Sequence, residues 1–163
     1  MRFVYCPCCG TKTVEKVLGD EGAVPWCGKC ERPLFDMFST CVLTVAGNGD
    51  GQVLLIRQSY GDTERFVGVA GYMKPGETPE QAAVREVGEE TGLGTREISY
   101  IDSAFYEGRD QLMLGMLARV EDGETKLSSE LLEARWFSID DAIATVREGS
   151  IIQRFLQAAK KSI

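Results

Sequence analysis

A layered α/β or α+β domain behind a small cysteine-built module is the fold that this chain predicts. Three observations carry the prediction. Five of the six cysteines fall within the first 30 residues. Behind them, short segments rich in β-branched residues alternate with three stretches of helical character. Apolar residues fill 44% of the 163 positions, enough for one domain with a sizeable core and a small appendage.

The module is read from its cysteine spacing. Cys6-Pro7-Cys8-Cys9-Gly10 is followed by Cys27-Gly28-Lys29-Cys30. Cys6, Cys9, Cys27 and Cys30 then form two C-x2-C turns separated by 17 residues, a spacing of four-thiolate zinc sites. Each turn directs two thiolates inward, and two turns complete a tetrahedron with zinc–sulfur bonds of about 2.3 Å. Two disulfides are the alternative, and they suit a secreted protein. Four thiolates leave no position open for water, so this zinc is expected to be structural. Cys8 is a spare thiol between two ligands. Cys41, in an apolar run, reads as core. The module closes near Pro33-Leu34-Phe35, which divides the chain into residues 1–36 and 37–163.

In the larger part, residues 39–45 and 52–57 read as strands joined by the glycine-rich turn 47–51. Further strands are expected at 65–69, 98–105, 112–120 and 134–137. Thr78 starts a helix, with Pro79 at its first position, Gln81 completing a capping box and Gly92 ending it. Ser138 caps a second helix running to Glu148, stopped by Gly149. A third covers about 150–160, amphipathic through Ile151, Ile152, Phe155, Leu156 and Ala159.

Composition narrows the function. The net charge is −7 and no basic patch is visible, which argues against bulk nucleic-acid binding. Anionic substrates stay open, because bound metal ions reverse a local field. No apolar run is long enough to span a bilayer, and the N-terminus lacks a signal-peptide pattern, so a cytoplasmic protein is expected. With no histidine, acid–base work near neutral pH falls to carboxylates, lysine, tyrosine or metal-bound water.

The chemistry concentrates in residues 71–93, GYMKPGETPEQAAVREVGEETGL. Glu86, Glu89 and Glu90 stand at i, i+3 and i+4 and share one arc of the predicted helix. Ala83, Val84 and Val87 form an adjacent arc expected to be buried. Three like charges on one face repel, and the helix C-terminal dipole opposes them too. Clustered carboxylate oxygens of this kind suit hard divalent cations, while a solvated acidic face is the plainer alternative.

The whole pattern is more specific. Gly71, Glu77, Arg85, Glu86, Val87, Glu89, Glu90, Gly92 and Leu93 fill every defined position of the Nudix box, and the chain resembles the Nudix hydrolase family. The resemblance implies an α/β/α sandwich around a mixed sheet, with the box forming a loop–helix–loop. It implies Mg²⁺ or Mn²⁺ held by Glu86, Glu89 and Glu90 with the Gly71 carbonyl. It makes Arg85 the organiser of the box carboxylates, with Glu77 its partner. The expected reaction is hydrolysis of a pyrophosphate bond in a nucleoside diphosphate linked to a further group. Glu89 is one candidate general base. Another is Glu130, since residues 129–137, SELLEARWF, resemble the segment in which NADH pyrophosphatase-like members place a metal-reaching glutamate.

A zinc ribbon before a Nudix domain also resembles that NADH pyrophosphatase group. Tyr72 matches an aromatic able to stack on a base, which is worth roughly 1–3 kcal/mol. The group's Ser-Gln-Pro-Trp segment is altered, however. Ser103 is present, and Ala104-Phe105-Tyr106 follows it. Phe105 and Tyr106 retain the ability to stack. NAD(H), ADP-ribose, a nucleotide sugar and a nucleoside triphosphate all stay open as substrates. Arg57, Lys74 and Arg109 are candidate phosphate contacts, or ordinary surface charges. The family further implies a homodimer. The competing class is a Nudix-fold module that senses a nucleotide without cutting it.

Overall fold

The computed structural model describes residues 2–163. The chain forms two compact units. One comprises residues up to Ser39 together with Gly108–Asp110, and the other comprises Thr40–Glu107 and Gln111–Ile163.

The smaller unit is a three-stranded antiparallel sheet of β1 (Val14–Val17), β2 (Ala23–Cys27) and β3 (Arg32–Pro33), in the order β1-β2-β3. Its core consists of Cys6, Cys27 and Leu34, with Phe3, Cys9 and Cys30 packed against them. Lys16 covers the Trp26 ring at 3.7 Å, a cation–π contact on the outer face.

The larger unit is built on a six-stranded mixed sheet. Its strands are β4 (Ser39–Gly47, entering from the smaller unit's last residue), β5 (Gln52–Gln58), β6 (Val69–Tyr72), β7 (Thr95–Tyr106), β8 (Gln111–Val120) and β9 (Leu131–Ser138). The order is β7-β8-β4-β5-β9, with β6 also paired to β4. Strand β4 divides its pairing: Ala46 and Gly47 face β5, while Cys41 to Thr44 face β6.

Strand alternation sends side chains to two cores. Leu43, Val45, Val53 and Leu55 join Phe155, Leu156 and Ile152 on one face, under α2 (Ile139–Thr145) and α3 (Ile151–Ala159). Ala46, Leu54, Ile56 and Val69 join Val87 and Leu93 on the other, under α1 (Pro79–Thr91). Helices on both faces of a mixed sheet are the expected α/β/α sandwich. A Cβ on Gly115 of β8 would stand 2.8 Å from the Phe155 ring, so the close seat of α3 requires this glycine.

Helix α1 starts as the sequence predicts. Thr78 accepts from Gln81 N, and the Gln81 side chain accepts from Thr78 N. Gly92 ends it in the left-handed conformation at φ 71°, donating to Gly88 O.

Three expectations are corrected. The strand at 65–69 is displaced to Val69–Tyr72, because β4 offers its ladder from Val69 onward and Val67 makes only a bridge to Ile56. Helix α2 ends at Thr145, not Glu148. Val146 turns extended (ψ 160°) and drops into the core beneath α3, which continuing the helix would prevent. On α1, Ala82 is buried with Ala83 and Val87, while Val84 faces solvent. No helix among the described residues is long and apolar enough to cross a membrane.

Candidate active site and metal centre

Arg85 organises the α1 carboxylates. Its Nε and Nη2 fork onto the two Glu77 oxygens, Nη1 donates to Glu86 and to Glu89 Oε2 (3.0 Å), and Nη2 also donates to Tyr72 O (3.1 Å). This planar fork with five donors is something only arginine supplies. The fork, joined by a bond from the Lys74 backbone N–H, drives the Glu77 carboxyl down to about 2. The box loop 72–77 is thereby fixed to the helix that follows it. Lys74 Nζ lies 3.6 Å from Glu89, so this cation is also drawn to the box.

Gly71 lies directly over Glu86. A Cβ there would overlap the Glu86 carboxylate, so only glycine leaves that carboxylate where it stands. Gly71→Ala is expected to fold, because the obstructed atoms end a flexible side chain. The carboxylate must move, and steady-state turnover is expected to fall by about 100-fold, the cost typical of a 1 Å misplacement. Unchanged turnover would show that the Glu86 position is immaterial.

The three helix glutamates share an arc in sequence but occupy different environments. Glu89 is exposed, the Glu86 side chain is largely covered and bonded to Arg85, and Glu90 is only 6% exposed. Glu90 Oε2 has no hydrogen-bond partner. Burial, then the charges of Glu86, Glu130 and Glu89, push the Glu90 carboxyl up to about 8. The turn preceding β9 brings Glu130 to this neighbourhood. Lys126 N donates to Thr91 O and Ser128 N to Glu90 O, clamping the turn on the end of α1. A buried carboxylate oxygen without a donor, in the field of three further carboxylates, is chemistry that a hard divalent cation satisfies, although the oxygens of these glutamates do not converge as the four cysteine sulfurs do.

On the opposite face of the sheet lies a cavity of about 550 Å³. Phe105 and Tyr106 line it, along with Gln58, Gly68, Ala70, Arg147 and the start of α3 at Ser150–Ile152. Both of these sequence-predicted aromatics thus border one cavity. The remaining predicted contacts lie elsewhere. Tyr72 is exposed outside the cavity. Arg57 pairs with Glu133 at 2.9 Å. Arg109 belongs to the smaller unit, by Phe3, Met37 and Phe38. Sequence reasoning missed Gln58, Arg147 and Ser150, because no local spacing connects the ends of β5 and β7 to the start of α3.

In the smaller unit, the sulfurs of Cys6, Cys9, Cys27 and Cys30 lie within 4.8 Å of one another. No other group of three or more such ligand atoms converges in this way among the described residues. The Cys9–Cys27 and Cys6–Cys30 sulfurs are 3.5 and 3.9 Å apart. A tetrahedron with 2.3 Å bonds requires about 3.8 Å between ligands, whereas a disulfide requires about 2.0 Å. The Thr11 hydroxyl draws Cys9 down to about 6, and the Cys9 sulfur drives Cys30 up to about 12. Four sulfurs at this spacing have the geometry to hold one tetrahedral metal ion. Cys8 is not one of the four; Arg32 Nη2 donates to its sulfur at 3.0 Å.

A two-faced sandwich with a glutamate-rich loop–helix–loop defines a class, and the family comparison gives the same answer. The NUDIX domain model matches residues 37–157, and the chain belongs to that family. Among curated relatives, it is similar to the NAD-capped RNA hydrolase NudC of Vibrio atlanticus, with 30% identity over 158 residues (96% of this chain, 56% of that protein). It is similarly related to NudC of Escherichia coli, with 29% identity over 159 residues (94% and 58%). The chain thus spans little more than half the length of these relatives. In fold, it is similar to a NUDIX hydrolase from Nitrosomonas europaea, with TM-score 0.77 and 21% identity over 98% of this chain and 91% of the other. It also resembles the NUDIX domain of Shewanella oneidensis NrtR in complex with ADP ribose, with TM-score 0.66 and 14% identity over 83% and 92%.

Proposed function

We propose that the protein hydrolyses a pyrophosphate bond in a nucleoside diphosphate linked to a second group, with an NAD-like dinucleotide or ADP-ribose as the leading substrates. The observation that carries this reading is the buried, donorless Glu90 carboxylate beside Glu86 and Glu130, inside a complete box. In this reading Glu86, Glu89, Glu90 and Glu130, with the Gly71 carbonyl, hold Mg²⁺ or Mn²⁺. The metal lowers the pKa of a bound water and neutralises phosphate charge. Arg85 and Glu77 keep the ligand carboxylates in place, and Glu89 or Glu130 takes the proton of the attacking water. Phe105 and Tyr106 sandwich or flank a base, while Tyr72, Lys74, Arg57 and Arg109 are secondary contact candidates. Zinc on Cys6, Cys9, Cys27 and Cys30 holds the smaller unit, residues 1–36 in this reading, ahead of the catalytic domain 37–163.

The NAD-capped RNA hydrolases among the relatives support the dinucleotide substrate, and the altered segment after Ser103 keeps ADP-ribose beside it. A cytoplasmic location and a homodimer belong to the same reading. The test is a panel of NADH, ADP-ribose, nucleotide sugars, dinucleoside polyphosphates and nucleoside triphosphates, with Mg²⁺ or Mn²⁺ and products identified by mass. Cleavage at a pyrophosphate that disappears in Glu89→Gln is expected. Tight binding without cleavage would favour a nucleotide sensor, and no interaction with any member would overturn the proposal.

A further inference from the structure

The cavity and the glutamates lie on opposite faces of the sheet, so a nucleotide using both must cross between them. One connection of side chains runs that way. Gln58 closes β5 at a register shift against β9, and its side chain lines the cavity. A shift of this kind redirects a side chain out of the regular alternation. Gln58 Nε2 donates to the Tyr60 hydroxyl at 3.0 Å. Between them, Ser59 N donates to Glu130 O at 2.7 Å, tying this segment to the turn clamped on α1.

We propose that Tyr60, oriented by Gln58, is a substrate-binding residue that donates its hydroxyl proton to a non-bridging oxygen of the pyrophosphate as the nucleotide passes from the cavity to the carboxylates. The assignment rests on the pyrophosphohydrolase reading above. The hydroxyl accepts from Gln58, which leaves its own proton for a ligand. A phenolic hydroxyl has an ordinary pKa of about 10, so the proton is retained through neutral pH. The Ser59–Glu130 bond sets Tyr60 one residue from the turn that carries a candidate metal ligand. Donors for phosphate are scarce here, since Arg85, Lys74 and Arg57 are paired with glutamates. An uncharged donor also avoids competing with the metal for those carboxylates.

Tyr60 is about half exposed, so Tyr60→Phe preserves the fold and removes only the hydroxyl. With the substrate found in the panel, kcat/KM is expected to fall by about 10- to 100-fold, the worth of a hydrogen bond to a charged group. Inhibition by the corresponding free nucleoside, which lacks phosphate, is expected to stay the same. Gln58→Leu is expected to lower kcat/KM in the wild-type background and to add little in Tyr60→Phe. Unchanged kcat/KM in Tyr60→Phe, or nucleoside inhibition weakened in parallel with turnover, overturns the assignment while leaving the enzyme reading intact. A wild-type protein that cuts nothing overturns both.

Discussion

Glu90→Gln is expected to lower turnover by on the order of 1,000-fold, the scale of losing metal charge stabilisation worth several kcal/mol. The same substitution is expected to stabilise the metal-free fold at pH 8. Both effects come from one buried carboxyl. Burial and the neighbouring Glu86, Glu130 and Glu89 raise it from 4.5 to about 8, so the folded protein binds its proton more tightly than the unfolded chain does. Its contribution to stability is fully present below pH 4.5 and is lost as the pH rises toward 8. The loss is on the order of a few kcal/mol for a group this buried. On the proposed metal role, Mg²⁺ taken up by the ionised form is expected to offset the loss and to raise the melting temperature more at pH 8 than at pH 5. The amide that Glu90→Gln introduces cannot ionise, so the variant flattens both dependences. Thermal melts at the two pH values, with and without Mg²⁺, check this. Equal Mg²⁺ stabilisation at both pH values in wild type would contradict it. The Glu77–Arg85 fork acts in the opposite sense: its contribution is present above pH 4.5 and disappears as the pH falls toward 2. The two carboxyls therefore act in separate pH windows.

Loss of the four-thiol site is the other large effect. Cys27→Ser is expected to reduce zinc from one per chain to none and to abolish amide-exchange protection across β1, β2 and β3. Protection in the larger unit is expected to persist. The reason is the size of the smaller core, a cluster of Cys6, Cys27 and Leu34 with Phe3, Cys9 and Cys30 against them, of which two thirds is cysteine. A core this small does not offset the entropy of ordering its strands. A structural zinc supplies about 10–16 kcal/mol of binding energy that only the folded unit can collect. Exchange measured by mass spectrometry, with elemental analysis on the same sample, decides the matter. Zinc near zero in reduced wild-type protein, or protected β1–β3 strands without metal, would refute it.

Much of the α1 region was legible because its signals are local. Thr78, Pro79 and Gln81 fix the helix start, and Gly92 its end, through contacts no more than four residues apart. The Arg85–Glu77 pair spans eight positions and is implied by the family pattern. The strand at 65–69 and the long α2 failed for a different reason. Apolar alternation and helix propensity are both satisfied there, and the outcome depends on β4 and on the core beneath α3. The exposure of Val84 shows the same limit, since an arc of the helix wheel is known before the direction of the sheet is.

The sequence by itself determined the paired C-x2-C turns and the capped helix, because each C-x2-C turn and each cap is written in residues no more than four apart, and the family pattern marked the carboxylates on that helix. Tertiary structure alone decided how the three glutamates differ. Only packing of the 121–130 turn against the end of α1 buries Glu90 beside Glu130 while leaving Glu89 in solvent. It also decided that Gln58, Phe105, Tyr106 and Ser150 share a cavity, and that the Gln58 amide meets the Tyr60 hydroxyl. Such groupings depend on which strand ends meet, and strand order is set by long-range pairing that no local pattern encodes.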